Sequence, residues 1–473
     1  MGGGLAAADY DRDGNIDLYL VGGDGSPNAL YRNNGGNQFS DTSAALGLDV
    51  VHLGSGPAFG DIDGDGDLDL FVGSVEDDAN FLFRNDGNQF TDIYANSGLA
   101  LSAGNTISAS FSDYDMDGDL DMFLAHWGND PQPDTESIWQ NNGDGTFMST
   151  SIPSGIAAQL ITEPGLSGFF DYSFSPMFSD IDRDGDPDIL LASDFSTSKV
   201  FLNNGDATFT NITDRNVIAD RNGMGSAAGD YDNDGDMDWF VTSIFEATPS
   251  ADPNIGNRLY RNDGNGVFVD VTDAAGVANG GWGWGVCFED FDNDGDLDIF
   301  HVNGWEQIDP RNAGGPDDYT FDQVRYFESQ GDGTFVEAAE EAGLIDTGQG
   351  RGVACFDSDR DGDLDLVITN NQDIKSVVMY RNNLAGNNHY LTVKLNGSGL
   401  NTDAIGSLIE VTDGARTQIR EIRASNHFVS QNPAEAHFGL GSAMSVDLTV
   451  FWPDGTQRTL LSVAADQYLV IDQ

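Results

Sequence analysis

Seven times along the chain, a short and almost wholly apolar run follows directly on an acidic stretch. These runs are LYLV at 18–21, LFV at 70–72, MFLA at 122–125, ILLA at 189–192, WFV at 239–241, IFHV at 299–302 and LVI at 366–368. An apolar run of this length, bounded by turn residues, predicts a strand buried on both faces. Upstream of each acidic stretch lies a segment of small residues and Phe, as in GSGPAFGD from Gly54, GMGSAAGD from Gly223 and GWGVCFED from Gly283. Such small residues suit the crowded inner strand of a radial arrangement. Downstream, ALYRNNGGNQFSD from Ala29, FLFRNDGNQFTD from Phe81, VFLNNGDATFTN from Val200 and RLYRNDGNGVFVD from Arg258 each place a Gly/Asn/Asp turn between an apolar segment and a Phe-led alternating run. That is the pattern of a β-hairpin. Each unit therefore predicts four antiparallel strands, one blade of a propeller. The units recur every 50 to 67 residues, the period of an array of supersecondary units. A closed ring removes the exposed sheet edges that separate units would leave.

The acidic stretches carry the chemistry. The seven sets are Asp9, Asp11, Asp13, Asn15 and Asp17; Asp61, Asp63, Asp65, Asp67 and Asp69; Asp113, Asp115, Asp117, Asp119 and Asp121; Asp180, Asp182, Asp184, Asp186 and Asp188; Asp230, Asp232, Asp234, Asp236 and Asp238; Asp290, Asp292, Asp294, Asp296 and Asp298; and Asp357, Asp359, Asp361, Asp363 and Asp365. Every copy has Asp at loop positions 1, 3, 5 and 9, Gly at 6, and Asn or Asp at 7. Alternate carboxylates converge when a chain curls around a point, and the all-oxygen site that results suits calcium, which takes six to eight such ligands. Magnesium resists giving up its water for a mostly protein cage. An EF-hand needs a bidentate Glu at position 12; here position 12 is Leu20, Val72, Leu124, Leu191, Val241, His301 and Ile368. The loop joins two strands, and the expectation is about seven structural calcium sites.

Composition narrows the partners. With 79 acidic against 20 basic residues the formal charge is −59, which repels nucleic acid and anionic membranes. No stretch approaches the ~18 apolar residues of a membrane span, so membrane insertion is not expected. Cys287 and Cys355 stand three and two residues before their loops. On alternating strands they should face opposite sides, and they are read as two buried free thiols. No export signal is visible before the first loop, which is read as sequence missing upstream rather than as a cytosolic location.

These units resemble FG-GAP (VCBS-type) repeats, the building block of the integrin α-subunit propeller, over residues 1–385. The resemblance implies calcium loops between the first and second strands of each blade. From 386 to 473 the acidic loops stop. HYLTVKLNGSG, GSLIEVTDGARTQIREI, HFGLG and WPDGTQ alternate like a small antiparallel β-domain and resemble the ASPIC/UnbV domain. A propeller followed by this domain is the arrangement of the cartilage acidic protein family. The expected fold is thus all-β, a seven-bladed propeller followed by a small antiparallel domain. The family resemblance implies an extracellular, calcium-loaded binding or matrix protein. Blade seven shows only three clear strands, so its fourth comes either from an absent upstream segment or from HYLTVKLNG at 389–397.

If the acidic loops join strands one and two, the longer insertions at 125–139, 160–175, 243–257, 278–285 and 301–322 emerge on the opposite face. They would gather His126, Trp127, Trp282, Trp284, His301 and Trp305 on one rim, the candidate site for an extracellular protein or glycan ligand. Otherwise these aromatics plug the funnel. No nucleophile elbow, zinc motif or cysteine–base pair is present, so the chain reads as a binder rather than an enzyme. Calcium propellers of some polysaccharide lyases supply the alternative, a polysaccharide-active enzyme on the same scaffold.

Overall fold

Each acidic loop ends where the apolar run begins, and the second strand of every unit starts on the last loop aspartate: Asp17–Val21, Asp69–Ser74, Asp121–Asn129, Asp188–Ser193, Asp238–Val241, Asp298–Asn303 and Asp365–Asn370. The computed structural model describes residues 3–23, 25–87, 89–129, 134–160, 171–246, 254–306, 314–315, 317–371, 377–383, 386 and 388–473. Parts of the predicted rim loops, at 130–133, 161–170, 247–253 and 307–313, therefore lie outside the described residues. Every second strand pairs antiparallel with a preceding strand of small residues: Gly4–Ala8, Gly54–Gly60, Thr106–Ser112, Asp171–Ser179, Ser226–Gly229, Gly283–Glu289 and Gly350–Phe356. In the first six units two more strands follow, and the fourth always opens on the predicted Phe: Phe39, Phe90, Phe147, Phe209, Phe268 and Phe335.

The first strands stand side by side in a closed circuit, Gly350–Phe356 lying next to Gly4–Ala8. That is consistent with the seven-bladed ring the repeat count implies. Close approach demands the small residues: a Cβ at Gly56 would overlap the Ile107 carbonyl oxygen of the next inner strand. Between neighbouring units the apolar faces of the sheets interlock. Tyr19 and Leu30 pack with Phe59, Leu70 and Phe83, and Phe240 packs with Val286, Phe288 and Phe327. The third and fourth units also share a sheet, because the second strand of the third pairs with the first strand of the fourth, Trp127 opposite Tyr172.

The seventh unit has three strands among the described residues, Gly350–Phe356, Asp365–Asn370 and Val377–Tyr380. Residues 389–397 do not complete it. His389–Asn396 pairs with Ala436–Gly441 and, in parallel, with Gln467–Asp472, because Leu391, Val393 and Leu395 are fully buried in the C-terminal core. A second sheet of Thr417–Glu421, Leu408–Thr412, Ser445–Phe451 and Gln457–Ala464 packs on the same core. That core continues without a break into the ring, where Ala58, Phe111 and Met122 join Ile409, Phe438 and Val450.

Between Ile422 and Pro433 the C-terminal chain runs down the axis of the ring and touches all seven inner strands. The Leu5 N–H donates to the Val429 carbonyl (3.1 Å) and the Phe111 N–H to the Ala424 carbonyl (2.9 Å). The Gln431 amide brackets Phe59, accepting from its N–H (2.7 Å) and donating to its carbonyl (2.9 Å). Arg423 donates to the Ala228 carbonyl (2.8 Å), while the Val353 N–H donates to Ser430 Oγ (3.1 Å). His427 Nδ1 lies 2.8 Å from the Val286 carbonyl, and Phe428 packs against Phe174 with ring centroids 5.4 Å apart. An inner strand in a ring has no sheet partner on its axial side, and this segment supplies part of one, pairing parallel at Leu5–Ser430 and Ala6–Gln431.

The cysteines are not free thiols. Cys287 and Cys355 form a disulfide between the inner strands of the sixth and seventh units. The expectation that they face opposite sides of their own sheets is the reason they meet, because opposite faces of neighbouring units are the ones in contact around a ring. No described helix is long and apolar enough to cross a membrane.

Candidate metal centres

Backbone geometry makes the seven acidic loops alike. Position 4 is left-handed in every copy, with φ between 56° and 69° at Arg12, Gly64, Met116, Arg183, Asn233, Asn293 and Arg360. Position 6 reaches φ between 92° and 102° at Gly14, Gly66, Gly118, Gly185, Gly235, Gly295 and Gly362. The first value is open to residues with a Cβ; the second is glycine territory, which accounts for the sequence pattern.

This turn aims backbone N–H groups at the position-1 carboxylate. Asp9 accepts from the N–H of Asp13 and of Gly14 (both 2.9 Å), and Asp113, Asp180, Asp230, Asp290 and Asp357 repeat the pair. Asp61 accepts from Gly64 and Gly66 instead, and also from the Thr402 hydroxyl of the C-terminal domain. The position-9 carboxylates Asp17, Asp69, Asp121, Asp188, Asp238, Asp298 and Asp365 each accept from the position-2 N–H and from the N–H of the residue that follows or ends the third strand.

Position 3 is different. Oδ1 of Asp11, Asp63, Asp115, Asp182 and Asp359 is buried and has no hydrogen-bond partner, and Asp119 Oδ1 at position 7 is in the same state. Asp11, Asp63, Asp115 and Asp182 stand in clusters with further carboxylates, Asp9 and Asp13, Asp61 and Asp69, Asp113 and Asp121, and Asp180 and Asp188; Asp230, Asp232 and Asp234 form another, and in each set one ligand atom per residue lies within 4.8 Å of the others. Burial pushes Asp17, Asp69 and Asp188 up to about 8, and Asp113, Asp180 and Asp357 up to about 7, with neighbouring carboxylates adding to the rise. Anionic oxygens so placed need a positive partner. Arg32 supplies one side of it to Asp11 (2.6 Å) and Asp13 (2.9 Å), and Arg381 to Asp359 (2.8 Å) and Asp361 (2.9 Å). Both leave the position-3 Oδ1 unpaired. The donor set is all oxygen, which is the chemistry of a hard cation such as calcium.

The asparagine closing the third strand was legible but read only as a turn residue. The side-chain amides of Asn85, Asn141, Asn203 and Asn262 donate to the carbonyls of Tyr10, Ile62, Tyr114 and Ile181, the position-2 residues of a neighbouring unit's loop (2.7 to 3.2 Å). Asn33 reaches Ser358 (3.0 Å) and so closes the circle, and Asn382 reaches Phe291 (2.8 Å). Ser329 holds that place in the sixth unit. The recurring YRN, FRN, WQN and FLN was its signal.

At the opposite end of the ring the aromatic candidates part company. Trp282, Trp284 and Trp305 stack on one another at 5.2 to 6.4 Å, and Trp127 joins them through Phe174. His126 and His301 are buried instead. His126 Nε2 lies 3.0 Å from the Glu136 carbonyl, and His301 sits between Asn257 (3.0 Å) and Asn303 (2.7 Å). Trp127, Trp282 and Trp305 remain half-buried.

Residues 9–72, 61–124, 180–241 and 248–301 match the FG-GAP-like repeat, and 397–473 match the ASPIC and UnbV family. Mouse cartilage acidic protein 1 is 24% identical over 98% of this chain and 72% of its own length. The human protein is 25% identical over 96% and 69%. Among solved structures, a Trypanosoma rangeli sialidase in complex with sialic acid aligns at 12% identity over 81% of this chain and 54% of its own, with a TM-score of 0.33. That likeness is too distant to bear on chemistry.

Proposed function

We propose that this chain, which belongs to the FG-GAP-repeat proteins carrying an ASPIC and UnbV domain, is an extracellular, calcium-loaded recognition protein without catalytic activity. Its ring spans about residues 1–385, and a C-terminal domain covers 386–473. About seven calcium ions hold the loops in shape. The observation that carries this reading is the row of buried, unpartnered carboxylate oxygens at loop position 3, in five of the seven copies. A divalent ion satisfies those oxygens and offsets like-charge repulsion where it is densest. Extracellular calcium modules bind at about 10⁻⁴–10⁻³ M, a range in which the sites fill outside cells and empty in cytosol. The Cys287–Cys355 disulfide supports the same compartment, since such bonds persist where conditions are oxidising. The acidic surface fits the name shared by its mouse and human relatives.

With calcium confined to one face as a structural ion, recognition of a protein or glycan falls to the other, where Trp127, Trp282 and Trp305 remain partly exposed. Equilibrium dialysis of the full chain against calcium tests the first part, with close to seven equivalents expected and none retained after chelation. Trp127→Ala with Trp305→Ala tests the second: loss of partner binding with calcium uptake intact is expected. Failure to take up calcium sinks the reading.

A further inference from the structure

Arg351 differs from the other buried arginines in its charge environment. Arg258 lies 3.8 Å from Asp270, and Arg420, over the Phe438 ring, is drawn on by Glu289, Asp290 and Asp230, just as the less buried Arg12, Arg360 and Arg423 meet Asp403, Glu435 and Glu421 at 2.6, 2.8 and 2.7 Å. Arg351 is 2% exposed and pairs with none among the described residues. Its plane rests over Trp284, with the guanidinium carbon 4.4 Å from the ring centroid, and faces Trp305 at 5.3 Å. Nη1 donates to the Gly304 (3.0 Å) and Gly350 (2.7 Å) carbonyls. Among the described residues the other edge meets no acceptor, and Nε is buried without a partner. Burial alone draws the group down to about 9, so it stays charged at neutral pH. An unpaired buried cation is costly, and in a chain with 79 acidic residues the lack of a counter-ion needs a cause.

The backbone puts the guanidinium there. Pairing steps from Gly350–Asn370 to Gly352–Thr369, so Arg351 is the extra residue of a β-bulge, a device that re-aims a side chain. It lines a cavity of about 530 Å³ with Gly22, Pro27, Tyr31, Asn370 and Val377. Those residues stand at the strand ends away from the acidic loops. Asn370 Oδ1 is a second buried atom without a partner, and it is an acceptor.

We propose that this cavity binds a small hydroxy-carboxylate, the chemistry of a uronic acid or hydroxy acid, with the carboxylate on the Nε–Nη2 edge of Arg351 and a ligand hydroxyl donating to Asn370 Oδ1. A planar guanidinium edge matches a carboxylate with two parallel hydrogen bonds. Among the described residues the lining holds this one guanidinium, no second cation and the exposed carboxylate of Glu76, which favours a monoanion over a phosphate dianion. The site deepens the recognition reading by giving that face one ligand chemistry. Calcium binding and this site can fail separately, because no cavity residue is a loop carboxylate.

The test is titration of the calcium-saturated full chain with sodium glucuronate by calorimetry, with acetate and chloride at matched ionic strength as controls. Saturable glucuronate binding is expected, weaker for acetate and absent for chloride. Arg351→Gln should weaken it by about tenfold or more, the loss of a charge-assisted pair. Val377→Trp, at a 47% exposed position, fills the cavity without touching Arg351 and should abolish binding even if the arginine variant does not fold. Absence of saturable binding, equal competition by chloride, or unchanged affinity in Val377→Trp would overturn the proposal.

Discussion

The Asn141 side-chain amide donates to the Ile62 carbonyl at 2.8 Å, tying the third strand of one unit to the metal-type loop of the unit before it. The same amide donates to Leu120 (3.0 Å), and its Oδ1 accepts from the Gly143 N–H (3.1 Å). Repeated around the ring, the bond couples loop shape to the seating of the neighbouring sheet. Asn141→Ala leaves two buried carbonyls short of a donor and should cost about 2–3 kcal/mol. Denaturant unfolding at saturating calcium measures it, and a loss below about 0.5 kcal/mol would show that the bond carries no load.

Phe428 is fully buried on the ring axis, against Phe174 and Trp284. Phe428→Ala should destabilise the chain by about 3–5 kcal/mol. Because one apolar cluster spans ring and C-terminal domain, unfolding should remain a single transition by both tryptophan fluorescence and circular dichroism. Two separated transitions in the parent protein would mean that the axial segment does not couple the two parts.

Reduction of Cys287–Cys355, which closes a 68-residue separation between neighbouring units, should cost about 2–4 kcal/mol. A Cys287→Ser, Cys355→Ser variant compared with the parent under oxidising conditions reads this as a lower melting temperature. The gap should vanish when the parent is reduced.

His301 is buried and neutral, held between Asn257 and Asn303, and burial lowers it to about 3. An unfolded histidine protonates near 6.5. Its contribution is therefore complete above that pH and lost as pH falls towards about 3. Between pH 7 and 5 this one group accounts for about 2 kcal/mol of lost stability. His301→Asn should be less stable at neutral pH yet show a shallower decline on acidification at fixed saturating calcium; an unchanged slope would contradict the assignment.

What the sequence disclosed and what it hid divide along one line. The loops were legible because Asp and Gly recur at fixed offsets, and the backbone turn demands those residue types at those places. The inter-unit role of Asn33 and its counterparts was not, because a local repeat does not say which neighbour an amide reaches. The axial run from Ile422 to Pro433 has no periodicity, and its bonds to Leu5, Phe59 and Phe111 exist only once the ring has closed. The cysteines were misread for the same reason: facing opposite ways rules out contact within one sheet and produces it between neighbours. The loop pattern places His126 and His301 on a rim, but their strands are buried on both faces, so the side chains stay inside.

The central claim is that divalent ions occupy the acidic loops and hold the ring together. Anomalous diffraction from calcium-grown crystals of the full chain, recorded at long wavelength, tests it most directly. Seven peaks are predicted, each within about 2.3–2.6 Å of a position-3 carboxylate oxygen, at Asp11, Asp63, Asp115, Asp182, Asp232, Asp292 and Asp359. Loops holding water, or arginine alone, in most of those places would contradict it.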